Sequence, residues 1–420
     1  MAAQVTNYQC PACTGPVHFS PETGKVVCDY CGSVYELSEI EAIYAEKEAK
    51  AAEEGHAEAT ATGGDGTAKA TEAKTGGKGA GACVPGVSDN PEGTAAEAPS
   101  EEEEDMREGT EYAGEWDTSS LGSDWGADAE NMKVYQCPSC GAELICDSTT
   151  GATSCPYCGN PTVVPGQFSG ALKPNFVIPF KIDKDAAIRA LKNHYKGKFF
   201  LPGTFTSENH LQEIKGVYVP FWMFDGVAEA SATYNATVTT VHRRGDEEIT
   251  NTAHYRVRRA GKMAFEKIPV DASSKMPDAY MDSIEPYDYQ ELKEFSAAYL
   301  PGFLADKYDV AVDDSWERAD QRCEETIKTA LRNTTLGYQT CIPIREWVHM
   351  ERGKVQYALL PVWLLTTKWN GENYLFAVNG QTGKVAGDLP VSKGKFWATF
   401  AGIAAGLSVI GSIAVTLFMM

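Results

Sequence analysis

Eight of the chain's 12 cysteines fall into two matching quartets, in which Cys10, Cys13, Cys28 and Cys31 recur 127 residues later as Cys137, Cys140, Cys155 and Cys158. Each quartet reads C-x2-C, fourteen intervening residues, then C-x2-C. Two tight turns that each offer a pair of thiolates supply the donors of a tetrahedral tetrathiolate zinc site. The flanks repeat too: Tyr8-Gln9 matches Tyr135-Gln136, and Gly24 matches Gly151. Sulfur fills all four positions, so neither a substrate nor an activated water has a place on the metal. The pattern predicts two zinc ribbons, each held by one structural zinc ion.

The rest of the chain shows no constellation suited to catalysis. Its histidines (His18, His56, His194, His210, His242, His254 and His349) form no H-E-x-x-H or H-x-H pair. Gly380-Gln381-Thr382-Gly383-Lys384-Val385 has too few residues between its glycines for a phosphate loop, and Val follows Lys where magnesium needs a hydroxyl. It reads as a tight turn between a strand at Tyr374–Val378 and a final strand near Lys384–Val385. The expectation is a protein that is not an enzyme. Cys83, Cys146, Cys323 and Cys341 are scattered, which suits a reducing compartment, and Cys146 reads as a core thiol.

Net charge is -21 over 420 residues, but it is concentrated. From Glu36 to Glu130 there are 25 Asp or Glu against 6 Lys or Arg, and the remainder is near neutral. Neither ribbon carries the clustered cations that a phosphate backbone requires, and the acidic segment would repel one. Nucleic acid is therefore not an expected partner. The one basic cluster is His242, Arg243 and Arg244 with Arg256, Arg258, Arg259 and Lys262, which a hairpin turning near Gly245 would gather on one face. A membrane-tethered nucleic-acid binder tied to replication or transcription is kept as the alternative.

Phe396 to Met420 is a run of 25 residues without a charge. As a helix at 1.5 Å per residue it spans roughly 37 Å, enough for a hydrocarbon core of ~30 Å. Lys393 and Lys395 precede it, which by the positive-inside rule puts the bulk of the chain in the cytoplasm. With no basic n-region or apolar h-region before Cys10, no signal peptide is expected. The expectation is a single-pass, tail-anchored protein of the cell membrane. Gly402 and Gly406 form a G-x-x-x-G face through which two helices could pair as a dimer.

These features divide the chain into a zinc ribbon at 1–35, a short helix within 36–54, a disordered acidic linker over 55–131, a second ribbon at 132–165, an α+β domain at 166–392 and a transmembrane helix at 396–420. In the short helix Leu37, Ile40 and Tyr44 share a face. The linker is Ala, Gly, Thr, Glu and Lys around Glu101–Asp105, with too little apolar surface to offset chain entropy. Tyr112, Trp116, Leu121 and Trp125 interrupt its end, either as docking motifs or by packing on a ribbon. In the α+β domain, Tyr218–Phe224 resembles Tyr357–Leu365 about a Pro-x-Trp core. Helical stretches at Asp185–Tyr195 and Trp316–Arg332 precede the two runs, which suggests two related halves. Pro220 and Pro361 argue for strand beginnings or edges. Trp222, Trp347, Trp363 and Trp369 read as core.

The C-P-x-C-G ribbon, Tyr218–Asp225, Pro361–Leu365 and the block Phe376–Lys395 ahead of a membrane segment together resemble bacterial membrane proteins carrying a transcription-factor-IIB-type zinc ribbon. That resemblance covers roughly residues 133–420. It implies an adaptor whose protein partners belong to phage-shock or flotillin-like membrane-stress systems. The N-terminal ribbon would then be an outlying head, on a coil of ~76 residues with an r.m.s. span of roughly 45–50 Å.

Overall fold

The computed structural model of the protein describes residues 9–44, 46, 108–122, 125, 132–147, 154–160, 164–166, 172–202, 211, 213–245, 247–369 and 372–419. Most of the expected linker, from 55 to 107, lies outside them.

The first ribbon alternates as a half-buried sheet must. β1 (Val17–Ser20), β2 (Lys25–Cys28) and β3 (Val34–Tyr35) pair antiparallel and turn Val17, Phe19, Val26 and Cys28 inward. Helix α1, over 37–44, closes the ribbon with the expected face, burying Ile40 and Tyr44. The ribbon is seated on the rest of the molecule. The Phe19 N–H donates to the Pro301 carbonyl at 3.1 Å, and its ring meets Tyr299 edge-on at 5.3 Å. An outlying head was expected, yet Phe19 joins the ribbon's interior to this neighbouring segment.

All the strands that follow join one 12-stranded sheet. They are β4 (Gly109–Ala113), β5 (Met132–Gln136), β6 (Glu143–Asp147), β7 (Val164–Gly166), β8 (Phe176–Val177), β9 (Lys215–Arg244), β10 (Glu247–Asp271), β11 (Lys293–Glu294), β12 (Leu304–Asp306), β13 (Thr340–Trp369), β14 (Glu372–Asn379) and β15 (Val385–Gly387). Four helices interleave with them: α2 (Lys184–Tyr195), α3 (Asp278–Ile284), α4 (Trp316–Asn333) and α5 (Lys393–Met419). The class is α+β, as expected. Asp183 caps α2 by accepting the Ala186 N–H at 2.6 Å, and the helix packs Tyr195 on Phe376 of β14. α4 lays Cys323, Ile327 and Leu331, spaced by four, over β9 and β10.

The sheet's centre is the antiparallel pair β9–β13, and the register has a local two-fold about the pair Val219–Leu360. That axis relates Pro220 to Pro361 and Trp222 to Trp363. The outer neighbours follow it. β12 lies parallel on Val217–Tyr218 as β8 does on Ala358–Leu359, while β10 begins pairing at Phe221 as β14 does at Val362. Both prolines thus sit inside central strands rather than at strand beginnings or edges. Their carbonyls accept the Ala272 and Gly380 N–H groups on the outer side. The missing N–H of each faces the place where one outer neighbour ends and the next begins, so no ladder bond is lost.

The aromatic end of the acidic segment belongs to this sheet. β4 lies parallel to β13, with Tyr112 opposite Met350, and Trp116 packs edge-on against Phe224 at 4.8 Å. Trp125 meets Phe295 at 5.4 Å. These residues pack on the α+β body rather than a ribbon, because their rings outweigh the acidic composition around them. Trp222, Trp347 and Trp363 are buried as read; the Trp369 side chain lies outside the described residues.

The pleat divides the basic cluster. In the β9–β10 register Arg256 faces Asn235, Arg258 faces Thr233 and Lys262 faces Glu229, whereas Arg259 faces Ala232 and His242 faces Ile249. With a side-chain period of two, Arg243, Arg256, Arg258 and Lys262 share one face, and His242, Arg244 and Arg259 point to the other. The expectation of a single basic face is corrected accordingly.

Candidate metal centres

Each quartet converges. In both groups the four Sγ atoms lie within 4.8 Å of one another. Cys10 and Cys31 are 3.4 Å apart, Cys13 and Cys28 3.5 Å, and the pairs Cys137–Cys158 and Cys140–Cys155 are each 3.6 Å apart. A tetrahedron with metal–sulfur bonds of ~2.3 Å has edges of roughly 3.7 Å, so the spacing suits one ion per group and is far from a disulfide. All eight residues named from the sequence are brought together in this way, in two sets of four.

Backbone geometry explains the convergence. Every C-x2-C turn closes in the same manner, with Cys10, Cys28, Cys137 and Cys155 donating their N–H to the carbonyls of Gly15, Ser33, Ala142 and Asn160 at 2.7–3.0 Å. The residue after each second cysteine takes a left-handed conformation. It is Gly32, Gly141 and Gly159 in three turns, with φ of 71°, 73° and 69°, and Thr14 in the fourth, with φ of 59°. Such φ values cost a side chain but not a glycine.

The thiols do not ionise alike. Burial pushes Cys10 up, but bonds to its sulfur from the Tyr35 hydroxyl and the Ala12 and Cys13 N–H groups outweigh that and hold it at about 6. In the second site burial opposes the Cys140 and Ser139 N–H groups, which bring Cys137 to about 7, while burial drives Cys140 up to about 11. At least one thiolate thus forms readily in each group, Cys31 being lowered beside Cys10 by the Ser33 hydroxyl, and further thiolates beside it need a cation to neutralise them. The donor set therefore fits a divalent metal ion. Bound there, the ion cross-links two turns and offers no open position.

The second centre is built into the body. β6 pairs with β12 through Ile145–Ala305 and Leu144–Asp306. The Thr366 hydroxyl of β13 lies 2.6 and 2.9 Å from the Pro156 and Tyr157 carbonyls, between the last two ligands. The Lys215 ammonium donates to the Ser154 carbonyl at 2.7 Å. Cys146, the extra thiol of this ribbon, is fully buried, as read.

Sequence reasoning missed two buried carboxyls, Asp271 and Asp306. Ser273 Oγ donates to Asp306 at 2.6 Å, and its N–H reaches Asp271 at 3.3 Å. Burial raises Asp271 to about 8 and Asp306 to about 7. Nothing in the local sequence marks either aspartate as buried; only the pairing of β10 and β12 with the rest of the sheet does so.

A protein of Bacillus subtilis (strain 168), the uncharacterized protein YdjG, is 40% identical to the chain over 322 residues, covering 65% of the chain and 94% of YdjG. The chain belongs to the YdjG family. No family model matches it, and no solved structure does. The name YdjG brings no activity with it, so the geometry must carry the functional argument for this member.

The remaining candidate is α5. Its stretch Lys393–Ala414 is long and apolar enough to cross a membrane, and none of it is buried against the protein. A Cβ at Gly402 or Gly406 would meet nothing within 4 Å, so the G-x-x-x-G face has no partner among the described residues.

Proposed function

We propose that the protein is a single-pass membrane adaptor without catalytic activity. Zinc holds both ribbons, the bulk of the chain lies in the cytoplasm, and the body recruits protein partners, with membrane-stress systems as the expected class. Two related halves, each a helix with a long hairpin, build the body. The acidic segment between the ribbons joins them as a tether.

One observation carries this reading. β9 is 30 residues long, which at ~3.3 Å per residue is roughly 100 Å. It begins near the end of the sheet from which α5 departs and ends at the Arg244–Gly245 turn. Past Thr340, where β13 begins, only β9 and β10 continue. Around this far end Val241 and Ile342, 54% and 63% exposed, share a face with Arg243, Arg256 and Arg258, while Ile249, 49% exposed, lies with His242 on the other. Apolar residues in a cationic rim suit a protein surface with acidic edges.

The test is affinity capture from detergent-solubilised membranes, comparing the full chain with a variant whose residues 240–251 are replaced by an Asn-Gly turn between the paired Thr239 and Thr252. Both should hold two metal ions. The full chain is expected to retain a defined set of membrane proteins that the variant loses. Retention of DNA or RNA alone, sensitive to salt and to changes at Arg256 and Arg258, would favour the nucleic-acid reading instead.

A further inference from the structure

We propose that the loop Lys196–Leu201 is a second membrane contact, which lies on an anionic bilayer surface beside α5 and fixes the body's orientation there. The inference rests on the reading of α5 as a membrane span. The loop is fastened to the first turn of that helix: the Ser392 N–H donates to the Phe200 carbonyl and the Lys395 ammonium to the Leu201 carbonyl, both at 2.8 Å. Loop and helix therefore enter the interface together.

An unbroken series of ring contacts runs from the loop to the helix. Phe199 meets Phe200 at 5.4 Å, Phe200 meets Phe396 at 5.9 Å, Phe396 meets Trp397 at 5.7 Å and Trp397 meets Phe400 at 5.6 Å. Yet Phe199 is 67% exposed and Trp397 62%, with Val391 beside them at 60%. A large aromatic surface left in water is costly, and one at the mouth of a membrane span has a natural solvent in the headgroup region. The charges agree. Lys196, Lys198, Lys393 and Lys395 adjoin these rings along the chain and are exposed. Glu372 lines the same cleft as Lys393 and accepts the Tyr374 hydroxyl at 2.9 Å, and Asp388 accepts the Tyr280 hydroxyl at 2.8 Å. Cations around exposed rings at the base of a span match anionic headgroups above an acyl boundary.

The experiment places a single environment-sensitive fluorophore on the full-length, metal-loaded protein, reconstituted in vesicles with lipid-attached spin labels. Cysteine replaces Phe199, Leu407 or Val241 in three variants, each made in a background in which Cys83 and Cys341 are changed to Ser, with the eight ligand thiols held by metal. Leu407 reports whether α5 lies in the bilayer, and Val241 reports the far end of the sheet. Quenching at Phe199 comparable to that at Leu407 and several-fold above that at Val241 is expected. It should be greater with phosphatidylglycerol than with phosphatidylcholine alone, and that difference should be lost when Lys196 and Lys198 are changed to Glu. Quenching at Leu407 without quenching at Phe199 would overturn the second contact and leave the span intact. Absence of quenching at both would overturn the span and the contact together.

Discussion

Trp222 and Trp363 occupy equivalent places about the axis between β9 and β13, and each donates its indole N–H at 3.1 Å to a carbonyl just ahead of a helix. Trp222 reaches Val310 before α4, and Trp363 reaches Ile182 before α2. Each tryptophan therefore pins one helix approach to the central pair. Replacing either by Phe strands a partly buried carbonyl and leaves a small void, at a cost of about 1–3 kcal/mol. We expect Trp222→Phe and Trp363→Phe to lower the urea midpoint by similar amounts. A cost confined to one of them would show that the two positions are not equivalent in energy.

The same axis relates Asp271 to Asn379. The Asn379 side chain is satisfied, accepting the Gln381 N–H at 2.8 Å and donating to the Ile284 carbonyl at 2.9 Å. Asp271 accepts only the Ser273 N–H, and its other oxygen has no partner. Its carboxyl titrates near 4 when unfolded and at about 8 when folded. Across that window the folded state holds the extra proton, so stability falls as pH rises from 4 to 8. Asp271→Asn should flatten the decline, on the order of a few kcal/mol at the alkaline end, and leave a shallower slope from Asp306, which titrates at about 7. Thermal melts from pH 4 to 9 measure it. An unchanged slope would mean that Asp271 is ionised in the folded protein.

What could be read from the sequence was what is local along the chain. A C-x2-C turn fixes its own geometry, so the eight ligands Cys10 to Cys158 needed no tertiary information. The spacing of Cys323, Ile327 and Leu331 likewise announced α4. Pairing is non-local, and there the reading failed. Pro220 looked like an edge residue because the changeover from β12 to β10 beside it joins segments far apart in the chain. The arginines of the hairpin looked like one patch until the register assigned Arg258 and Arg259 to opposite faces. Trp116 and Trp125 stood out from the acidic segment, but what they pack on, Phe224 and Phe295, lies far away in the chain.

Thr14 is the exception among the four metal turns. At φ of 59° it holds a conformation that Gly32, Gly141 and Gly159 take without penalty. Thr14→Gly should relieve roughly 1–2 kcal/mol of backbone strain in the first ribbon. The Thr14 hydroxyl also bonds the Cys13 carbonyl at 2.6 Å, which offsets a part of this. The variant should surrender metal to a chelator more slowly at the first site, with the second site unchanged. Faster release would mean that this hydroxyl bond outweighs the strain.

Removing the two metals should have unequal consequences, because the ribbons join the body differently. The first rests on the body through Phe19, with Tyr299 and Pro301 opposite, while its own sheet is separate. The second shares the central sheet through β6 and β12 and is clasped by Thr366 from β13. Cys28→Ser should cost one metal ion and loosen 9–44 while the melting of the body changes little. Cys155→Ser should also cost one ion, but it frees the 154–160 turn that Lys215 and Thr366 hold, and so exposes one edge of β12 and β9. A marked drop in the main melting transition is expected for the second variant alone, read together with metal content by elemental analysis. Equal drops would show that the first ribbon supports the body as strongly as the second, and its contact with Tyr299 would then have to be a principal part of the core.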